Sequence, residues 1–584
     1  MKWAVVILIV LASLLSVSQT ILYAWQTPPG YVFPLIHNFV EDYYQYLDIM
    51  RQGFDGWWTA TSRLTPEVYP RMPVSVFLLA LGHVAAWFHL SLPVVYTLAR
   101  VAGGITLMIL VYQLIRLTFQ SSHQRFIAFC IVLFSTYFWG WGSQGPVVAS
   151  LTHAWTELDP IFRWSFVPHH LWSKVGMLGA FIFLLARRHR NFFDPQLASP
   201  VRSYRFNVAA VCSVSDVPRA ELGKRSSKIL FRLAPFIVHA LVFVILVMFM
   251  GFTNPVVYVT FIPTIFLYVV LTAQIKSKLS FEMVLVVLAV LAAGVVILYH
   301  RYLQTNIFPW TSYLLWEQTL AYKVNPVDYA VSLGPTLVLF ILAIPSLWRL
   351  GKVGRLFIAW AASSWIMLYI VGRFVPVTPE RFLGGYQFIP LGIGTAVWIF
   401  SLKRRGLFRL GDVTVLKATP LAFARGGLMK FTFITVLLLY FSIGIYASFR
   451  EHAGYVAGNR TNNQVYVPQE LIDAFNYLAT HGSPEDVVMA PYEISTMIPG
   501  LTGKKVVAGH VMFTNDVGVK RAAINEFFTT SDPTVIQRVI SAHNVRWILV
   551  PSVWTPPTSD KLTIVPTKRD VRDVTYIIYS VSER

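Results

Sequence analysis

Runs of about 17–25 apolar residues recur along this chain and constrain what it can fold into. A bilayer core about 30 Å thick takes roughly 20 helical residues to cross, and every backbone polar group inside it must be satisfied within the segment. The first run, Trp3 to Ala24, follows a single Lys2 and ends at Thr27-Pro28-Pro29-Gly30. That tetrapeptide is not a small-x-small cleavage site, so the run reads as an uncleaved first helix. Further apolar segments cover 74–90, 93–115, 126–141, 171–187, 233–251, 256–273, 281–299, 330–348, 356–372, 384–400 and 431–449. With 584 residues, 55% apolar and 13% charged, at mean hydropathy +0.57, the chain reads as a polytopic α-helical membrane protein.

The net charge of +20 points to the membrane and not to nucleic acid. Ten Lys or Arg against three acids lie between Arg187 and Arg232, and seven against one between Lys403 and Lys430. Basic loops between spans follow the positive-inside pattern and meet anionic lipid, and no basic stretch interleaves with aromatics as a nucleic-acid platform does. If Lys2 is cytoplasmic, loop 25–73 lies outside and the basic loops 187–232, 274–280, 349–355 and 402–430 lie inside. This holds with about eleven crossings if 74–90 is juxtamembrane or re-entrant. The alternative is that 74–90 spans and a further crossing lies between 141 and 171. Cys130 and Cys212, one in an apolar run and one in a basic loop, form no disulfide framework.

From Glu451 to Arg584 the material changes, giving a division into a multi-span part, 1–450, and a small extracytoplasmic α/β domain, 451–584. Leu471, Phe475 and Leu478 stripe a helix over 468–481. Val487–Ala490, Val506–Ala508 and Trp547–Val550 read as strands, Gly518–Phe528 and Pro533–His543 as helices, and Leu562–Val565 with Thr575–Tyr579 as a hairpin. Gly509-His510 and Thr514-Asn515-Asp516 lie between a strand and a helix, where open α/β sheets bind ligands. Asn459-Arg460-Thr461 is a glycosylation sequon by pattern alone.

Charged residues outside the basic loops are the candidates for chemistry. Five of the 28 carboxylates, Glu41, Asp42, Asp48, Asp55 and Glu67, fall within 27 residues just past the first span. Carboxylates near hydrocarbon persist where they pair, face water or react. Glu41 and Asp42 are the candidate bases, flanked by Tyr43, Tyr44, Tyr46, Trp57 and Trp58, whose rings suit an interface or a sugar face. Asp48 and Asp55 read as helix-surface acids. The outward segment 141–171 holds His153, Glu157, Asp159, Arg163 and the pair His169-His170. Its spacing matches no recognised metal site, so a divalent ion is open, and binding of phosphate or hydroxyls fits as well. Arg373 and Arg381, with His300, Arg301 and Lys323, are outward cations, and arginine's fork matches phosphate oxygens. Arg100 is the odd charge in Leu98-Ala99-Arg100.

Glu41-Asp42-Tyr43-Tyr44 after the first span, Tyr69-Pro70 and Pro73 before the next apolar segment, and Leu98-Ala99-Arg100 give the chain a familiar layout. It resembles the GT-C superfamily of integral-membrane glycosyltransferases, in particular protein mannosyltransferases and aminoarabinose transferases. The resemblance covers residues 1–400 by layout, with sequence-specific likeness in about the first hundred. It implies a sugar donor carried on polyprenyl phosphate, an acceptor glycan, lipid or protein on the outer face, and inversion at the anomeric carbon. It also implies Asp42 or Glu41 as base and Arg100 as a structural or phosphate-side cation; phosphate, once neutralised, is a capable leaving group, so no cofactor is expected to be required, with a divalent metal left open. The Asp-Glu and Lys-Pro motifs of better-defined members are absent, leaving acceptor and metal open. A transporter or lipid flippase would instead carry inverted repeats and mid-membrane charges, and no such repeat is apparent. A third alternative is a scaffold whose outward domain binds a partner.

Overall fold

The structure is a computed structural model that describes residues 2–37, 39–143, 145–154, 157–186, 237–272, 281–319, 324–374, 378–402, 420–554, 562–565 and 576–581. Most of the basic loops 187–232, 274–280 and 402–430, with Cys212, Lys323 and Thr575, lie outside the described residues.

Among the described residues, five helices are long and apolar enough to cross a membrane: Leu92–Thr118, Pro255–Thr272, Glu282–Asn306, Lys352–Arg373 and Lys430–Gly458. Two bent pairs raise the number to as many as seven. One pair is Lys2–Ser16 with Ser18–Trp25, bent by 51°, and the other Pro326–Leu333 with Pro335–Arg349, bent by 86°. The sequence reading, with 74–90 not crossing, expects about eleven. The chemistry of the first break is visible. Ser13 and Ser16 hydroxyls donate back to the Ile9 and Ala12 carbonyls at 2.8 and 2.7 Å, while the Ser165 hydroxyl takes the Ser16 carbonyl at 2.5 Å. Side-chain donors that claim helix carbonyls bend the ladder.

The segment 74–90 is the helix Val76–Phe88, whose 13 residues rise only about 20 Å. It packs against the acidic helix Val40–Phe54, which follows the first apolar run, through facing glycines. A Cβ on Gly82 would lie 2.0 Å from the Met50 carbonyl oxygen, and one on Gly53 2.1 Å from that of Leu79. No other residue type allows that approach. After Ser122–Phe134 the chain leaves helix for a hairpin, Gly140–Gly142 against Gly145–Val147. No span-length helix is described between 141 and 171.

Toward the C-terminus a helix runs unbroken from Pro420 to Gly458, through the expected boundary at 450. The final segment carries a five-stranded sheet in the order Lys505–Val506, Val487–Met489, Val545–Pro551, Tyr576–Val581, Leu562–Val565. The first three strands are parallel and the last two antiparallel. The expected helices appear as Gln469–Thr480, Val517–Thr529 and Pro533–His543. An additional helix, Tyr492–Thr502, lies between the first two expected strands, where the sequence reading named no element.

The segment between the first two apolar runs packs against this C-terminal segment. Tyr31–Val32 pairs with Val467–Pro468. Tyr44, Leu47 and Met50 share a core with Leu471, Met497 and Ile498. A Cβ on Gly500 would sit 2.8 Å from Cβ of Leu47, so the additional helix docks directly on the acidic helix.

Candidate active site

The acidic helix starts with Glu41 and Asp42 in its first turn and ends with Arg51 in its last, complementing the helix dipole at both ends. Its buried face, Tyr43, Tyr44, Leu47 and Met50, anchors it in the core. The Tyr43 hydroxyl donates to the Pro34 carbonyl at 2.5 Å and that of Tyr44 to the Gln464 carbonyl at 2.7 Å. Asp42 stays partly open, its side chain 38% exposed, and its Oδ1 lies 3.3 Å from Nε2 of His510. Glu41 is also partly exposed, and its charge acts on Tyr492 at the head of the docked helix.

One turn on from Asp42, Tyr46 meets His169 edge to face, ring centroids 4.9 Å apart. Burial holds the Tyr46 phenol neutral well above its ordinary range, reinforced by the Asp42 carboxylate and Tyr313 and opposed by the Arg381 guanidinium. His169 feels both Asp42 and Arg381. Four elements therefore converge: the acidic helix, the start of the helix Pro168–Ala186, the helix Trp310–Thr319, and the turn Pro379–Phe382.

Glu317 fixes Arg381. Its Oε1 accepts from Arg381 Nε at 2.7 Å, and its Oε2 from Thr378 N and Oγ1 at 3.2 and 3.3 Å. Arg381 also donates to the Tyr313 hydroxyl. Burial works against the guanidinium charge, but Tyr313 and Glu317 more than offset it, so its pKa lies above the ordinary arginine value.

The remaining candidates take other places. His170 is buried beside His169 with its ring 5.0 Å from that of Phe166. Lys174, one turn further on, lies 3.8 Å from Glu157 Oε1, and Glu157 Oε2 accepts from Tyr386 N at 3.3 Å. Asp159 accepts from Ile161 N and Phe162 N through Oδ1, and its Oδ2 lies 3.2 Å from Nε2 of His452. Glu157 and Asp159 thus belong to different pairs. The His153 side chain lies outside the described residues. No group of three or more His, Cys, Asp and Glu among the described residues is placed to hold a metal ion. Arg100 is only 1% exposed and donates to Thr20 Oγ1 at 2.8 Å, tying the helix Leu92–Thr118 to Ser18–Trp25 close to Tyr96 and Tyr43. Arg373 is exposed at the end of its helix and takes no part in the described contacts of the cluster. Arg163 is buried on carbonyls of Ser135 and Glu157, with its guanidinium 3.6 Å from the Phe388 ring centre.

Asp48 corrects the sequence reading: it is no surface acid but 2% exposed, roofed by the docked helix. Burial raises its pKa to about 6, against the pull of Arg63 and Gln52. Sequence reasoning missed Glu317 and Tyr313 because each is an ordinary member of a helix until folding sets it beside Arg381.

No family model matches the chain, and no curated protein matches it by sequence. Solved structures do. The apo oligosaccharyltransferase of Archaeoglobus fulgidus matches with 13% identity and TM-score 0.49, over 94% of this chain and 70% of that one. ArnT from Cupriavidus metallidurans, bound to undecaprenyl phosphate, matches with 12% identity and TM-score 0.45, over 98% and 97%. The arabinofuranosyltransferase AftD from Mycobacteria matches with 12% identity and TM-score 0.50, over 99% of this chain and 41% of that one. At such identities the likeness is one of fold, and this chain spans less than half the length of AftD. The span-length helices and the site define a multi-pass membrane protein whose fold is like that of the AftD structure.

Proposed function

We propose that this chain is a membrane glycosyltransferase that moves a sugar from polyprenyl phosphate to an acceptor on the outer face of the membrane. The observation that carries this reading is the meeting of Asp42, Tyr46, His169, Tyr313 and Arg381 at one place, from elements distant in sequence. A carboxylate and a cation that act on the same buried tyrosines and histidine suit displacement at an anomeric carbon. Asp42 takes the proton of an acceptor hydroxyl, whose oxygen bonds to the anomeric carbon. The bond from that carbon to the phosphate oxygen breaks, and the electron pair leaves with the lipid phosphate beside Arg381. Inversion follows from attack opposite the leaving group.

In this reading the N-terminus is cytoplasmic, the chain crosses about eleven times, and the C-terminal sheet lies outside above the donor head group. Basic residues at the far ends of the helices support that orientation; Lys352, for one, pairs with Glu282 at 2.5 Å at the end of its helix away from Arg381.

The test uses membranes containing the full chain and a panel of radiolabelled hexosyl and pentosyl polyprenyl phosphates. Whichever donor the wild type consumes, Asp42→Asn should leave transfer at background while the protein still accumulates in the membrane. Wild-type transfer by Asp42→Asn removes the carboxylate from the reaction.

A further inference from the structure

We infer that His510, from the C-terminal segment, is a positioning residue for Asp42, holding one carboxylate oxygen so that the other meets the acceptor. The inference rests on the reaction proposed above.

The tautomer follows from the hydrogen bonds. His510 Nδ1 accepts the Met512 backbone N–H at 3.1 Å, so in the neutral ring the proton sits on Nε2. Nε2 faces Asp42 Oδ1 at 3.3 Å and therefore donates to it. With Nδ1 occupied by an N–H donor, the ring has no vacant nitrogen to pass a proton onward. His510 therefore orients the carboxylate and is not a relay. Oδ1 is held, and Oδ2 is left as the oxygen that takes the acceptor's proton.

The holder is itself fixed in place. His510 is 1% exposed, and its ring packs edge to face on Phe513 at 5.0 Å. Thr514 Oγ1 accepts from Gly509 N and His510 N at 3.1 and 3.2 Å and donates to the Leu64 carbonyl at 2.7 Å. Nearby, Ser62 Oγ donates to the Phe513 carbonyl at 2.7 Å, and Val506 N to the Arg63 carbonyl at 3.1 Å. Lys520 bonds Thr65 Oγ1 at 2.9 Å and Glu67 Oε1 at 2.5 Å. Residues 62–67 of the first outer loop and 506–520 of the last segment thus form one seam, and the bond to Asp42 lies along it. Rigid second contacts of this kind keep a reacting group in productive geometry.

Three variants in the full chain test the inference, each assayed for kcat and donor KM with the donor that the wild type consumes. His510→Phe keeps a ring against Phe513 but has no N–H, and His510→Ala removes both. His510→Gln places an amide N–H near the position of Nε2. The expected result is a fall in kcat of tenfold or more for Phe and Ala, donor KM within about twofold, and recovery to within a few-fold of wild type for Gln. Should Ala fail to accumulate, Phe and Gln still decide the question. Wild-type kcat in His510→Phe overturns the inference, as does equal loss in Phe and Gln, which would mean that the site needs only the imidazole's packing. Failure of the reaction itself is distinguished by Asp42→Asn: if that variant is active the reaction fails, and if it is dead while Phe is wild type only the positioning role fails.

Discussion

Asp48→Asn should make the protein more stable at neutral pH and remove part of its pH dependence. The carboxylate is buried beneath the docked helix, and its pKa rises from the ordinary 3.8 to about 6 in the folded chain. Between those values the unfolded chain binds fewer protons than the folded one, so this group's contribution to stability falls as pH rises from about 4 to about 6. Roughly two pKa units at 1.36 kcal/mol each give a cost of ~3 kcal/mol above pH 6. Asparagine has the neutral acid's shape and keeps an oxygen for the Gln52 amide, now 3.4 Å from Oδ1. The assay is the unfolding midpoint of purified wild type and variant in detergent, stepped from pH 4 to pH 8. Other titrating groups act on both proteins alike, so the difference isolates Asp48. The variant should lead at pH 7–8, and the gap should close toward pH 4. Parallel pH curves would refute the reasoning.

Two further outcomes follow from the geometry. Gly82→Val drives a side chain into the Met50 carbonyl, where even a Cβ would lie at 2.0 Å, and should cost about 3 kcal/mol, the upper end of overpacking. A clear drop in unfolding temperature together with loss of transfer checks this; an unchanged melt contradicts it. Arg381→Lys keeps the charge but loses the fork that reaches Glu317 and Tyr313. Donor KM should rise about tenfold or more, the scale of one charge-assisted hydrogen bond, as measured by initial rates against donor concentration.

Hydropathy and alternation made much of the architecture legible. The apolar segment 93–115 became Leu92–Thr118, and the strand and helix signals after residue 468 fell on the observed elements within a few residues. These signals are local, carried by side-chain period and by length. Bends were hidden, because the first one depends on a hydroxyl from Ser165 reaching a carbonyl at Ser16. The helix Tyr492–Thr502 was hidden because Pro499 and Gly500 break helices on average, whereas in this fold Gly500 is what lets the helix touch Leu47. Its docking is also what buries Asp48. At the site, the acid pair and Arg381 stood out as charges in unusual places. His510 drew notice only as part of a loop at the end of a strand, since nothing local announces a partner 468 residues away. Glu317 carried no signal, because its importance comes wholly from the arginine it holds.

The central claim is that the carboxylate and the guanidinium flank the head of a carrier lipid. A structure of the full chain with polyprenyl phosphate added tests it most directly. The account predicts the phosphate within hydrogen-bond distance of Arg381, with open space between it and Asp42 Oδ2 wide enough for one sugar ring. A phosphate seated at the other end of the bundle, near Lys352 and Glu282, would contradict it.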